Sequence, residues 1–348
     1  LSNLHPEDKN IIWKNYLNEV KRNIAADGVT AIFDDSDINK EYSKKLEDLD
    51  RVIDASSPDK KVVNGYHVCE ATVLSAKTKQ PMSVYSKIYS CKSKDFRSQN
   101  SYTLESIKAV EEVVGKNFTG IFDRGYDDNK IFAYMSKQEH SFVVRLQDKR
   151  TLLFKGKKRS VSEVADSRKG KINMKVVFDD NEEHELMLSY TKAVLPYNQK
   201  EYTLVIVYGL KEGSPMKLLT NIKIQDKKEV IKVVRLYLSR WRIEEYFRGK
   251  KQEYDFENMR VRTLASMNNL NMMLTIHLGH MAILAEKIDK NLLTIKIIYA
   301  SKSLREKSIV WLSQIARGIK NILEYAHEGI KRWQEVESRD ARQLSFKF

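Results

Sequence analysis

Residues 226–251, DKKEVIKVVRLYLSRWRIEEYFRGKK, constrain this chain more than any other stretch. They contain no proline. Asp226 followed by Glu229 is a capping-box-like start, so the run predicts a long helix with Gly249 as its one weak point. At about 100° per residue, Tyr237, Arg240, Glu244 and Lys251 fall within roughly 60° of one another. They share that face with Val230, Val233 and Val234. A hydroxyl, a guanidinium, a carboxylate and an ammonium on the inward side of a helix are costly unless they are paired or used. An ordinary salt-bridged face is the plain alternative, but here the polar residues continue an apolar stripe.

The whole chain has 348 residues and a formal net charge of +14. That length allows a large core and more than one domain. The charge calls for a polyanionic partner, nucleic acid first and a membrane surface second. No run of about 18 apolar residues is present, so a spanning helix is not expected. The opening LSNLHPEDKN lacks the order of a secretory signal. Cys69 and Cys91 are the only cysteines, too few for a disulfide scaffold or a zinc site. A cytoplasmic protein without a membrane partner is expected. Leu1 in place of a starting methionine suggests a longer protein, with an amino-terminal DNA-binding segment missing here.

In chain order, residues 8–25 predict an amphipathic helix with Ile11, Ile12, Tyr16, Val20 and Ile24 on one side. The β-favouring run 29–33 ends at Asp34-Asp35-Ser36-Asp37. The charged, turn-rich stretch that follows reads as exposed. Runs 66–75 and 82–90 predict a hairpin, 102–114 a helix stopped by Gly115, and 119–123 a strand ending at Asp123. Residues 140–146 supply a fifth strand. Residues 147–225 change character, with four β-favouring runs broken by Gly, Pro and Asn clusters. Two basic clusters there, Lys155–Arg159 and Arg168–Lys171, suit a phosphate backbone or simply solvated tips. Arg260 and Arg262 alternate like groove-facing side chains. Residues 263–287 predict an apolar helix whose His277 and His280 read as core or cap residues rather than metal ligands. The remainder reads as helical, anchored by Trp311 and Trp333. There is no internal repeat.

The spacing Tyr, two residues, Arg, three residues, Glu, six residues, Lys resembles the YREK signature of the IS4 family of bacterial DDE transposases. Asp123-Arg-Gly-Tyr resembles that family's second acidic motif, and Asp34-Asp35-Ser36 its first. An ungapped match would make Asp35 the first acid. The two side chains alternate to opposite faces of a strand, so only one of them is expected to serve, with Asp34 favoured. The resemblance implies an α/β fold, a ribonuclease-H-like mixed sheet flanked by helices, with a mostly β insertion. The corresponding divisions are an N-terminal helical segment 1–28, a catalytic core 29–146 and 226–262, the insertion 147–225 and a helical region 263–348.

It also implies chemistry. Asp34, Asp123 and Glu244 would be the catalytic residues and the ligands of two Mg²⁺ ions, with Mn²⁺ substituting. Such ions prefer oxygen ligands and serve phosphodiester cleavage and transfer. The DNA partners would be the element's terminal inverted repeats and target DNA, engaged by a homodimer near the bacterial nucleoid. Tyr237, Arg240, Lys251, Trp241, Arg242, Arg260, Arg262, Lys157, Lys158 and Arg159 are the expected DNA contacts. Family members that leave through a DNA hairpin use a tryptophan in the insertion. This chain has none between residues 139 and 236, and Tyr197 in the Leu-Pro-Tyr-Asn turn is the expected substitute. A nuclease without strand transfer and a non-catalytic transposase-derived DNA-binding protein are the competing readings.

Overall fold

Alternating apolar residues and short turns build the amino-terminal part, starting with helix α1 (Pro6–Asn23), which opens on a proline at its first turn. The computed structural model describes residues 4–54, 59–177, 183–210, 213–286, 317–324 and 326–328. Strands β1 (Val29–Asn39), β2 (Asp50–Ile53), β3 (Val62–Leu74) and β4 (Pro81–Tyr89) precede helix α2 (Gln99–Val114). Strand β5 (Phe118–Phe122) follows, then helix α3 (Asn129–Lys137) and strand β6 (Ser141–Arg145). β3 pairs antiparallel with both β1 and β4, while β1, β5 and β6 run parallel. The order β4-β3-β1-β5-β6 is that of a ribonuclease-H-like core, as expected.

Local signals set the helix ends. Ser98 caps α2 by accepting from the Ser101 amide, and Gly115 ends it at φ 81°. Three elements differ from expectation. The stretch read as exposed contains β2, whose Asp50 and Val52 are buried, because it pairs with Val62–Gly65 of β3. Helix α3 lies between β5 and β6. Ile11 of α1 is 58% exposed, whereas Tyr16 and Val20 are buried in the core and Trp13 and Leu17 pack against it.

The insertion consists of β7 (Thr151–Phe154), β8 (Lys157–Ser160), helix α4 (Val161–Asp166), β9 (Ile172–Val177), β10 (Glu183–Val194), β11 (Glu201–Tyr208) and β12 (Met216–Thr220). It does not form a sheet of its own. β12 pairs antiparallel with β6, and β11, β10, β7 and β8 follow outward, giving one 12-stranded sheet. Thr220 reinforces the junction by donating to the Phe142 carbonyl at 2.6 Å.

Helices cover both faces. Tyr16, Ile107, Phe132 and Phe142 belong to the core under α1, α2 and α3. Ile32, Ile121, Val143 and Val205 belong to the other core, under α5 (Lys227–Leu238) and α6 (Trp241–Glu253). Helix α7 (Leu264–Glu286) lies along β4. There the Asn268 amide accepts from Ile88 N–H and donates to Ile88 C=O, both at 2.9 Å, satisfying backbone groups of an edge strand. Tyr16 packs on Gly279 so closely that a Cβ there would lie 2.2 Å from its hydroxyl. Trp311, Trp333 and most of the predicted carboxy-terminal helical region lie outside the described residues.

α6 is tied to this frame by a fully buried ion pair. Lys250 Nζ lies 2.8 Å from Glu70 Oε2 and also donates to Asn271 Oδ1 and Thr275 Oγ1, at 3.1 and 3.2 Å. Burial pushes the lysine's pKa down, opposed by the adjacent Glu70 charge. Removing one member of such a pair leaves the other charge stranded. Lys250→Ala should therefore cost about 3–5 kcal/mol in denaturant unfolding, and Lys250→Met with Glu70→Leu should recover most of it. Equal losses in the single and double variants would show that the pair does not carry the coupling.

Candidate active site

Parallel pairing brings the first two acids together. Phe33 of β1 lies opposite Phe122 of β5, their rings stacked at 4.6 Å. One residue further along each chain are Asp34 and Asp123, on the face of Ile32 and Ile121, beneath α5 and α6. Asp35 turns to the other face, where it accepts from Gln99 of α2. Burial raises its pKa, offset by hydrogen bonds from Gln99, Cys69 and Tyr126.

The single helix expected over 226–251 is two helices. Asp226 caps α5 by accepting from the Glu229 amide at 2.9 Å, as the sequence indicated. The break comes at Ser239-Arg240 and not at Gly249, which sits inside α6. Ser239 Oγ donates back to the Leu236 carbonyl at 2.6 Å. The amides of Arg240, Arg242 and Ile243 bond three residues back, so the backbone tightens through the junction.

That junction aims Arg240 at all three predicted acids. Its Nη1 lies 3.1 Å from Asp34 Oδ2, its Nε 4.0 Å from Asp123 Oδ1, and its Nη2 pairs with Glu244 Oε1. Tyr237 donates to Asp123 Oδ1 at 3.0 Å. Four residues from β1, β5, α5 and α6 thus meet around one guanidinium. Burial lifts the Asp34 pKa to about 7; Arg240 lowers it, while Asp123, Asp35 and Glu244 raise it. Burial works against the Arg240 charge, but Asp34, Asp123 and Glu244 hold its pKa above the usual value.

Converging carboxylates that share one guanidinium are under-neutralised, and their donors are all oxygens. This set fits hard divalent ions. Asp34, Asp123 and Glu244 would hold them. The three acids are bridged by Arg240 rather than gathered within one coordination sphere. Among the described residues, the group whose potential ligand atoms lie within 4.8 Å of one another is Asp50, His67 and Cys91. There Asp50 Oδ2 accepts from Cys91 N–H at 2.6 Å, fastening β2 to the end of β4.

Other predicted residues are dispersed. Lys251 stands about 10 Å further along α6 than Glu244, paired with Glu257 at 3.1 Å, not with the three acids. Its neighbour Lys250, which the sequence pattern passed over, is the buried one. Trp241 and Arg242 stack, guanidinium over ring at 4.5 Å, beside a groove on the outer side of α5. Arg260 and Arg262 are both exposed, with Val261 between them turned to the core. Lys157, Lys158 and Arg159 form an exposed row on β8, after a turn in which Lys155 and Gly156 have φ of 50° and 76°. Arg168 of the second basic cluster is committed to Ser189 and the Tyr190 carbonyl. Tyr197 is 39% exposed at the β10–β11 turn, and Tyr190 is 36% exposed. Tyr202 is buried, and Tyr208 donates to the Ala165 carbonyl at 3.0 Å. His277 bonds Tyr254, and His280 the Ile276 carbonyl.

The ribonuclease-H-like sheet carries one acid midway along its first core strand, where the pairing with β5 stops, although the sequence pattern put the strand's end there. A second acid lies just past the fourth core strand and a third on a following helix. The family model described as "Transposase DDE domain" matches residues 27–278, and the chain belongs to that family. Among curated proteins, none matches. Of solved structures, a piggyBac transposase synaptic complex with hairpin DNA is similar at 12% identity and a TM-score of 0.47, over 88% of this chain and 54% of that one. This chain therefore spans about half the length of that relative. The NurA nuclease from Sulfolobus solfataricus is similar at 9% identity and a TM-score of 0.30, over 66% and 82%. The fold class rests on the strand order rather than on these two likenesses. Among the described residues, no helix is long and apolar enough to cross a membrane.

The raised Asp34 pKa makes a prediction. A carboxyl whose folded pKa of about 7 exceeds its ordinary 3.8 favours the fold when protonated. Its contribution is full below 3.8 and is lost as pH rises through about 7. Thermal melts in EDTA at pH 5 and pH 8 should show Asp34→Asn gaining on the unmodified protein as pH rises. Parallel pH profiles would contradict the assignment.

Proposed function

We propose that this chain is a DNA transposase of the IS4 family that cuts the ends of its element and joins them to target DNA. The observation that carries the reading is the meeting of Asp34, Asp123 and Glu244 around Arg240, within the family-matched region. Asp34, Asp123 and Glu244 are the catalytic residues and the ligands of two Mg²⁺ ions, which Mn²⁺ can replace. Bound there, the ions supply activation of the attacking oxygen and stabilisation of the leaving one. Side-chain alternation favours Asp34 over Asp35 as the first ligand.

Tyr237 orients Asp123 through its hydroxyl. Arg240 partly offsets the charge of the acid cluster before DNA arrives and offers a planar fork to a phosphate afterwards. Lys251, Arg260 and Arg262 extend the positive surface from α6 into the following segment, and Lys157, Lys158 and Arg159 add a further row on the insertion. Tyr197, exposed at its turn, is the candidate platform for an unstacked base if the strand is released as a hairpin. The terminal repeats and the target are the DNA partners, held by a homodimer. The divisions are a helical segment to residue 28, a core of 29–146 and 226–262, the insertion 147–225 and the region 263–348.

Asp34→Ala, Asp123→Ala and Glu244→Ala should each abolish divalent-dependent nicking of end DNA while gel-shift affinity stays within about threefold, because affinity comes chiefly from phosphate contacts. Full cleavage by Asp34→Ala would transfer its role to Asp35. Strand-transfer products on supercoiled plasmid are expected from the unmodified protein. Cleavage without them would make it a nuclease.

A further inference from the structure

On its solvent side, α5 carries Lys228, Ile231, Lys232 and Arg235 at i, i+3, i+4 and i+7, opposite the buried Val230, Val233, Val234 and Tyr237. This stripe is one wall of a groove of about 830 Å³. The other walls are β9 of the insertion, through Met174–Val177, and the β3–β4 turn, through Leu74 and Lys79. Trp241 and Arg242, just past the helix break, close one part of it.

Six cations line the groove: Lys79, Lys175, Lys228, Lys232, Arg235 and Arg242. Among the described residues, no carboxylate lines it. Lys175 is paired with Glu183, both largely exposed. Among the described residues, Lys228, Lys232 and Arg235 have no acidic partner, and all three are exposed. Three like charges on adjacent turns of one helix repel one another, so the row calls for an external anion. Between the cations the surface is apolar: Leu74, Met174, Val176, Ile231, Leu236 and Leu238.

We propose that this groove binds a short segment of single-stranded DNA, its phosphates on the cations and its bases on the apolar floor; the proposal rests on the DNA-processing reading above. The choice of single strand over duplex comes from the floor. A duplex keeps its bases stacked and offers sugar, phosphate and groove edges, for which an apolar floor has no use. An open strand exposes base faces that gain from apolar and aromatic contact without sequence preference. Along the chain, Ser239, which lines the groove, immediately precedes Arg240 of the candidate active site.

The test is fluorescence anisotropy in EDTA with labelled oligo-dT of about 12 nucleotides and a duplex of equal length, across a range of KCl. EDTA removes cleavage, so failure here is distinguishable from failure of the transposase reading, which nicking assays decide. Lys228→Gln, Lys232→Gln and Arg235→Gln combined should weaken oligo-dT binding by at least about tenfold. Losing three phosphate contacts should also lower the salt slope of log K by about 2. Duplex binding should change by less than about threefold. A control with the same charge loss, Lys14→Gln, Lys21→Gln and Lys137→Gln on α1 and α3 over the other face of the sheet, should leave oligo-dT binding near its original level. An abasic strand should bind the unmodified protein about tenfold more weakly than oligo-dT, because it offers no base faces. Unchanged oligo-dT affinity in the triple variant would overturn the proposal. Equal loss on strand and duplex would too, by making the groove a duplex backbone site, as would an equal effect of the control.

Discussion

The parallel pairing of β1 with β5 is the constraint on which the site depends. It places Phe33 beside Phe122 and, one residue on, Asp34 and Asp123 beneath the same pair of helices. Had β5 joined with a one-residue slip, Asp123 would have turned to the face of α2, away from Asp34. Close packing supports the register. At Gly120 a Cβ would lie 2.7 Å from the Phe122 ring and 2.9 Å from Met135, so the small residue lets that ring lie back against its own strand.

Two cationic side chains near α6 do different physical work. Lys250 and Glu70 are both fully buried, and the lysine is ringed by Ser86, Asn271 and Thr275. Such a pair has nowhere else to go, and it fixes α6 against β3 and α7. Arg240 is 17% exposed, and its carboxylate partners become more accessible from Asp34 to Asp123 to Glu244. Solvent reaches that cluster, so its charge balance can respond to ions and phosphates. A rigid anchor and an open, acid-rich junction thus sit within about three turns of one another along the chain.

The insertion adds a second consequence of sheet geometry. Because β12 pairs with β6, the six added strands extend the core sheet. β9, pairing with β10 off the main strand order, then lies opposite the outer side of α5 and forms the basic groove. A β unit hinged on flexible linkers would not hold that wall in place. The short return from β12 to α5 leaves Val143 of β6 and Val205 of β11 in one continuous core.

The sequence by itself indicated the strand runs 29–33, 66–75, 82–90 and 119–123, the glycine stop of α2, the capped start of α5, the basic surface and the acids worth attention. These follow from alternation, capping side chains and charge, all of which act between near neighbours. It also indicated that Asp34 and Asp35 must part, since strand alternation is local. Only the tertiary structure decided the break at Ser239-Arg240, the burial of Lys250 rather than Lys251, the pairing of β2 and the merging of the insertion into one sheet. Arg240 meets Asp34 across 206 residues, and Lys250 meets Glu70 across 180. A helical wheel assumes that one helix continues. It cannot register a carboxylate brought from the far end of the chain, whose attraction favours breaking the helix and re-aiming the guanidinium.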